Sequence, residues 1–353
     1  MNAFLRATVL MLMVGSYHAA SLASTPAKGL VPAGAIAMYQ GADRHDRLVA
    51  GAKQEGELMV YHAYPNLTVA LAAFSKKYGI KVKSWRADSE SILQRVITEA
   101  RGSRNVVDIV QNNAPENEAL HREKLLQPVW SPYLGDLIPE ASPAHKEWVG
   151  ITIDAWTAAY NSNVIKQADL PKSYQDLLKP RWKNQLGIEA NDYGWFGALL
   201  EALGEQQGRK LFAAVVATNG ISLHKGHSLL TTMVASGDVP LALSVYSWNP
   251  VQLMKKGAPV KLLLLQPVLA QFSTLAIPKK APHPYAAALF YDYLVSDEGQ
   301  QLLASLDYVV TSKKIARPFG NGALQFVDPG RALDNQDRWT KEFNDILVDS
   351  QEK

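Results

Sequence analysis

Short apolar strands alternate with helical stripes from Leu58 onward, and that alternation restricts the possible fold more than any other feature of the chain. "LMVYHA" (58–63) is an apolar run of strand length, and Leu67, Leu71, Phe74 and Tyr78 then recur at helical spacing. "IKVKSW" (80–85) alternates apolar and polar residues, and Ile92, Leu93, Val96 and Ala100 form the next helical stripe. "VVDIVQ" (106–111) reads as a third strand. Strands separated by helices predict a mainly parallel sheet with helices on both faces. Ligands bind beyond the carboxyl ends of such strands, so the loops that follow them are the places to seek function.

Pro-rich text from Pro128 to Pro143 interrupts the pattern and reads as connecting loop. A second α/β region follows. "GITIDAWTAAYN" reads as a strand, "SYQDLLKP" as a short helix, "QLGIEA" as a strand, and residues 195–217 as helical text. "VPLALSVY" and "VKLLLLQP" supply further strands, and the text from Thr274 onward gives a strand, a Pro-marked turn and a long helix. Trp339, Phe343, Ile346 and Leu347 form an amphipathic stripe that should dock on the body. A length of 353 residues suits two domains of roughly 100–200 residues each.

The opening "MNAFLRATVLMLMVGSYHAASLAS" has a lone Arg6, an apolar stretch from Ala7 to Val14, and then small residues, which is a signal-peptide pattern. Cleavage is expected after Ala23, with Ala27 as the second position. The apolar stretch is shorter than the about 20 residues a spanning helix needs. With 0 cysteines, the chain has no disulfides, thiolate metal sites, cysteine nucleophile or lipid-modified cysteine. Its formal charge of +3 is spread out, with no basic run to track a phosphate backbone, so no nucleic-acid partner is expected.

Four ordered phrases carry a family resemblance. "GITIDAWTAAYNSNVI" is similar to a crossing strand followed by a Tyr-Asn pair, and "LPKSYQDLLKPRWKNQLGI" to the Pro-x-Ser/Thr-aromatic-x-Asp-Leu segment before the next strand. "MVASGDVPLAL" resembles a valine, small, Gly-Glu turn with Asp238 in place of Glu, and "LAIPKKAPHPYAAALFYDYLVSDEGQ" the return to the first domain. These resemble the bacterial periplasmic solute-binding proteins of ABC importers, in the branch that includes ferric-iron binders.

The resemblance implies a two-lobed periplasmic-binding-protein fold (type 2), each lobe a mainly parallel sheet flanked by helices, with the ligand in the cleft between lobes. Mapped here, residues 1–23 are signal peptide and 24–55 an N-terminal extension. Lobe one takes 56–150 plus 275–308 and lobe two 155–270 plus 312–353, with hinge crossings near 151–154, 272–277 and 308–311. Closure is then a hinge motion driven by ligand contacts to both lobes. The implied partners are a small-molecule solute and the permease subunits of an importer. The protein is expected to be periplasmic and a monomer, with no cofactor.

Each candidate ligand group has an ordinary structural alternative. In "RADSESI", Arg86 could grip a carboxylate or phosphate beside a helix start capped by Ser89 or Ser91, or be solvated beside a plain cap. "YHAYPN" places His62 and Tyr64 at the cleft edge, although a lone histidine is commonly structural. Asn112 and Asn113 in "QNNAPE" offer amides, or simply begin a helix. Asn191, Asp192, Tyr193 and Trp195 would face the cleft from lobe two, where an aromatic can equally be core. His224 and His227 stand three apart, but Gly226 breaks the helix that would align them and no carboxylate is close in sequence. Ser228 and neighbouring N–H groups there could accept an anion.

Tyr160 matches a family position that can contact ligand. Ferric binders of this branch place two adjacent tyrosines after the strand that here reads "LALSV", because phenolate suits a hard, highly charged ion. This chain has Tyr246 followed by Ser247-Trp248, and indole cannot ligate iron. The leading expectation is a small anionic or polar organic solute, stacked on Tyr193, Trp195, Tyr246 and Trp248 and held by Arg86, Ser228 and helix starts. The alternative is ferric iron on His62, Tyr160 and Tyr246. A secreted enzyme is the remaining class, but the chain has no Gly-x-Ser-x-Gly or His-Glu-x-x-His, and His145-Lys146-Glu147 fails the latter.

Overall fold

The computed structural model describes residues 33–316 and 324–349, all within one unit, Val31–Lys353. The predicted signal peptide and both cleavage positions lie outside the described residues. Eleven strands are formed among the described residues. In chain order they are β1 (Glu57–His62), β2 (Lys81–Arg86), β3 (Ile109–Asn113), β4 (Trp148–Asn161), β5 (Leu186–Glu189) and β6 (Ser222–His224). Then come β7 (Leu241–Tyr246), β8 (Val260–Leu263), β9 (Val268–Ala276), β10 (Val309–Val310) and β11 (Leu324–Phe326).

Strand β4 organises the molecule, because its 14 residues are buried throughout and serve two sheets in turn. Trp148–Ala155 pair antiparallel with Ala276–Ala270 of β9, which leads on through β3 and β1 to β2. From Trp156 the neighbour becomes β7, with Trp156 opposite Tyr246 and Tyr160 opposite Leu241, and the order continues through β5 to β6. Strand β10 pairs with Ile153 and Thr152, and β8 pairs with Ala158–Asn161. Each lobe thus has its own sheet, and one strand belongs to both.

The outer strands run parallel as predicted, β1 with β2 and β3, and β5 with β6 and β7. The central pairs of β9 with β3 and β4 are antiparallel, because the chain returns from lobe two in the opposite direction. Helix Leu67–Tyr78 buries Leu67, Leu71, Phe74 and Tyr78, the predicted stripe, and ends at Gly79, whose φ of 71° suits a residue without Cβ. Residues 128–143 form a loop with two short 3-10 turns, as their prolines suggest.

Two segments differ from expectation. Arg44–Glu55, within the expected extension, is a helix packed on helix Pro284–Val295. Arg44 donates to Asp292 at 2.9 Å in a buried ion pair, and the Glu55 carboxylate accepts from the N–H groups of Tyr285 and Ala286 at the start of that helix. The helical text 195–217 is split into Tyr193–Ala202 and Glu205–Asn219, with Gly204 at φ 83° between them. The C-terminal stripe docks as predicted, with Phe343 against Phe196 at 5.6 Å between ring centroids.

Candidate functional site

Asp154 stands in the shared stretch of β4 and is fully buried. Tyr64, in the loop after β1, lies 2.5 Å through its hydroxyl from Asp154 Oδ1 and 2.6 Å from Thr152 Oγ1. From lobe two, Trp248 donates its indole N–H to the same Oδ1 at 3.1 Å. The other oxygen, Oδ2, is buried with no hydrogen-bond partner. Burial pushes this carboxyl up to about 6, against the two bonds that favour its charge.

Aromatic rings enclose that contact. Tyr64 stacks on Tyr308 at 4.5 Å and 10°, and Trp248 meets Tyr308 edge-on at 5.2 Å. Tyr246 lies 6.2 Å from Trp248 and 5.7 Å from Trp156, and its hydroxyl accepts from Gln271 at 2.9 Å. Burial pushes the Tyr64 and Tyr246 phenols well up, and nearby carboxylates add to the effect. Among the described residues the one buried Lys or Arg is Arg44, already engaged by Asp292 in lobe one.

Behind Tyr246, lobe two holds a second polar group. Asp192 accepts from Trp156 Nε1 at 3.2 Å and lies 3.4 Å from His227 Nε2, while Glu189 accepts from the N–H groups of Asn191 and Gly226 at 2.6 and 2.8 Å. Burial raises the Asp192 carboxyl, with His227 opposing.

The predicted residues are distributed unevenly about this site. Tyr64, Tyr246 and Trp248 are brought together there. His62 is buried and donates Nδ1–H to the carbonyl of Tyr64, so it orients the loop; burial lowers its pKa. Asn191 and Ser228 lie one step out: Asn191 donates to Glu189, and the Ser228 hydroxyl accepts from Asn249 at 3.2 Å. Asn112 ties β3 to the carbonyl of Ser89 at 3.0 Å, and Asn113 begins helix Ala114–Arg122.

Several expectations are corrected. The helix after β2 is capped by Asp88, not Ser89 or Ser91, and this carboxylate accepts from Ser91 N–H at 2.9 Å, so an anion would meet negative charge there. Arg86 is exposed at the end of an exposed edge strand. Trp195 is 1% exposed and packs on Phe196, and Tyr193 turns its ring to Phe343, so both serve lobe-two packing. Tyr160 pairs at the far end of β7 from Tyr246, five residues or roughly 16 Å along the strand, so the two phenols cannot share an ion. His227 has no carboxylate close in sequence, but the fold brings Glu189 at the end of β5 and Asp192 just after it beside the ring.

Asp154, Tyr308, Gln271, Trp156 and Glu189 were not singled out from sequence. The available signal was Asp154 itself, a lone carboxylate inside the apolar run "GITIDAW".

Two sheets joined through one strand, with polar side chains of both lobes meeting over it, define a two-lobed solute-binding protein. Residues 105–326 match the family described as bacterial extracellular solute-binding protein, and the chain belongs to that family. It is 26% identical over 259 residues to the Fe(3+)-binding periplasmic protein of Serratia marcescens, covering 70% of this chain and 75% of that one. It is 25% identical to the major ferric iron-binding protein of Neisseria meningitidis serogroup B, covering 66% and 73%. Among solved structures, iron-bound HitA from Pseudomonas aeruginosa superposes with a TM-score of 0.71 at 22% identity, over 83% of this chain and 99% of that one. AfuA from Actinobacillus pleuropneumoniae, with exogenous fructose-6-phosphate bound, gives 0.70 at 18% identity, over 83% and 98%. The family and fold are those of solute-binding transport proteins, and no described helix is long and apolar enough to cross a membrane.

Proposed function

We propose that the protein is the substrate-binding receptor of an ABC-type importer, exported to the periplasm with residues 1–23 removed and acting as a monomer beside its permease subunits. It captures a small polar organic solute by closing lobe one (56–150 and 275–308) on lobe two (155–270 and 312–353). The hinge crossings are those near 151–154, 272–277 and 308–311.

The observation that carries this reading is Asp154, a buried carboxylate on the shared strand that takes a hydrogen bond from each lobe and keeps one oxygen unpartnered. A buried carboxylate calls for a positive charge or N–H and O–H donors. The solute therefore brings donors or positive charge to Asp154, and the faces of Tyr64, Trp248 and Tyr308 suit an apolar or cationic body. An anionic solute, the other half of the sequence expectation, would approach this carboxylate with no free buried base among the described residues.

Ferric iron is the second reading, supported by the phenols of Tyr64, Tyr246 and Tyr308 around Asp154 and by the iron named for the relatives. Calorimetry against organic amines, organic acids and ferric citrate separates the readings. Amine binding that D154N abolishes supports the first, whereas tight iron uptake with a phenolate charge-transfer band would replace it. Binding of acids alone would overturn both.

A further inference from the structure

Two groups of metal-ligand side chains occur among the described residues, and their hydrogen bonds distinguish them. In lobe one, Glu118, His121 and His145 converge. His145 Nδ1 accepts from the backbone N–H of Glu147 at 3.0 Å, so the neutral ring carries its proton on Nε2, which faces Glu118 Oε2 at 3.3 Å. His121 Nδ1 lies 2.8 Å from Glu147 Oε2. With Nδ1 taken by the Glu147 N–H and Nε2 protonated, the neutral His145 ring offers no lone pair to an ion.

The lobe-two group, Glu189, Asp192 and His227, has the opposite polarity. One donor atom from each residue lies within 4.8 Å of the others. His227 Nδ1 faces the carbonyl of Ser244 at 3.3 Å. A carbonyl only accepts, so the neutral ring carries its proton on Nδ1 and turns the Nε2 lone pair toward Asp192 Oδ1, 3.4 Å away. Two lone pairs facing at that distance repel unless a proton or a metal ion lies between them, and a proton there would make the contact a plain His227–Asp192 ion pair. Metal bonds of about 2.1 Å at tetrahedral angles place neighbouring donor atoms about 3.4 Å apart.

The supporting shell fits as well. Asp192 is only 6% exposed, and its Oδ2 is buried without a partner. Glu189 is held by the N–H groups of Gly226 and Asn191, and Asp192 by the indole of Trp156. Carbonyl-oriented imidazole and hydrogen-bonded carboxylates are how metal ligands are fixed from behind.

We propose that Glu189, Asp192 and His227 hold a divalent first-row transition-metal ion in lobe two. All three donors come from one lobe, so the ion is resident whether the lobes are open or closed, and it does not depend on which solute the cleft carries. Two carboxylates and an imidazole suit such an ion without any phenolate. The ion also offsets two buried carboxylates beside Tyr246.

The test titrates chelator-stripped protein with cobalt(II) chloride. One equivalent should bind with visible d–d absorption, be displaced by zinc, and leave the radius of gyration in X-ray scattering unchanged. D192N and H227Q should each weaken uptake at least about tenfold, while H224A and H121A should not. Should D192N fail to fold by circular dichroism, H227Q carries the test. Absence of uptake by folded wild-type protein would leave a plain His227–Asp192 ion pair and overturn the proposal. So would uptake lost only in H121A, which places the ion in lobe one, or lobe closure on metal addition, which makes it a bridging cargo. Absence of uptake, or uptake lost only in H121A, leaves the solute-receptor reading untouched, since that reading is decided by amine and acid binding; lobe closure on metal addition would instead favour its metal-cargo alternative.

Discussion

Tyr64 and Asp154 meet at 2.5 Å, and through that contact a lobe-one loop is fastened to the strand that both sheets share. Trp248 completes the contact from lobe two by donating to the same carboxylate oxygen. The carboxylate stands where β4 changes sheets, so under the proposed hinge closure whatever holds or releases it would act on the angle between the lobes.

Tyr64→Phe removes the hydroxyl and keeps the ring stacked on Tyr308. Hydrogen bonds to charged groups contribute about 1.5–3 kcal/mol, and that amount is lost from the arrangement that joins Tyr64 to Asp154. Small-angle X-ray scattering should show a larger radius of gyration than wild type, with the melting temperature lowered by only a few degrees. An unchanged radius would mean that the contact does not fasten the lobes.

The raised pKa of Asp154 has a sign that can be checked. Its folded value of about 6 lies above the unfolded 3.8, so between these values the folded state binds more protons and stability falls as pH rises. The ionised, buried carboxylate costs the folded protein at most about 3 kcal/mol above pH 6. Asp154→Asn should therefore raise the melting temperature at pH 7.5 and flatten its dependence on pH between 4 and 6, while abolishing solute binding. A lower melting temperature at pH 7.5 would show that the charge is better compensated than its surroundings indicate.

Trp248 is 4% exposed, so replacing it by alanine would remove a core ring at a cost of about 3–5 kcal/mol and confuse binding with unfolding. Trp248→Phe keeps most of the packing against Tyr308 and removes the donor to Asp154. The expected result is opening similar to Tyr64→Phe, with little further effect when the two substitutions are combined, since both break one contact. Full additivity in scattering or calorimetry would argue for two independent contacts.

What could be read from sequence was periodic, and what could not was tertiary. Leu67, Leu71, Phe74 and Tyr78 announce their helix because all four are buried on one face. Helix Arg44–Glu55 hides because its buried face is Arg44, Leu48, Gly51 and Ala52, and the ion pair that permits Arg44 there comes from a residue 248 positions away. Tyr246 and Trp248 were legible as a break in an apolar strand. Tyr308 was not, since nothing local shows that it stacks on Tyr64. His227 was set aside for want of a nearby carboxylate, and only the fold brings Glu189 and Asp192 beside it.

The Arg44–Asp292 pair makes a stability prediction outside the cleft. Arg44 is 4% exposed and also donates to the carbonyls of Ile36 and Tyr39 at 3.0 and 2.7 Å. Arg44→Ala leaves a buried carboxylate unpaired, which costs about 3–5 kcal/mol. Urea unfolding should show that loss with the solute affinity of the folded fraction intact. A change below 1 kcal/mol would mean that water reaches Asp292.

Gly197 shows how the C-terminal segment is held. A Cβ built on it would stand 2.0 Å from the Trp339 ring, far inside contact distance, so helix Tyr193–Ala202 can seat that indole only where it has no side chain. Trp339 is 1% exposed, and its helix also contributes Phe343 to the same core. Gly197→Ala must push the indole out, and overpacking of this kind costs about 1–3 kcal/mol, more than the helix propensity that alanine returns. The segment also reaches lobe one, where Arg122 bonds Asp334 at 2.5 Å and the Gly330 carbonyl at 3.2 Å. Displacing Trp339 should therefore loosen both attachments. The expected signature is faster proteolysis after residue 326, with near-ultraviolet dichroism changed and the rest of the fold retained. A variant as protease-resistant as wild type would show that the indole has another seat.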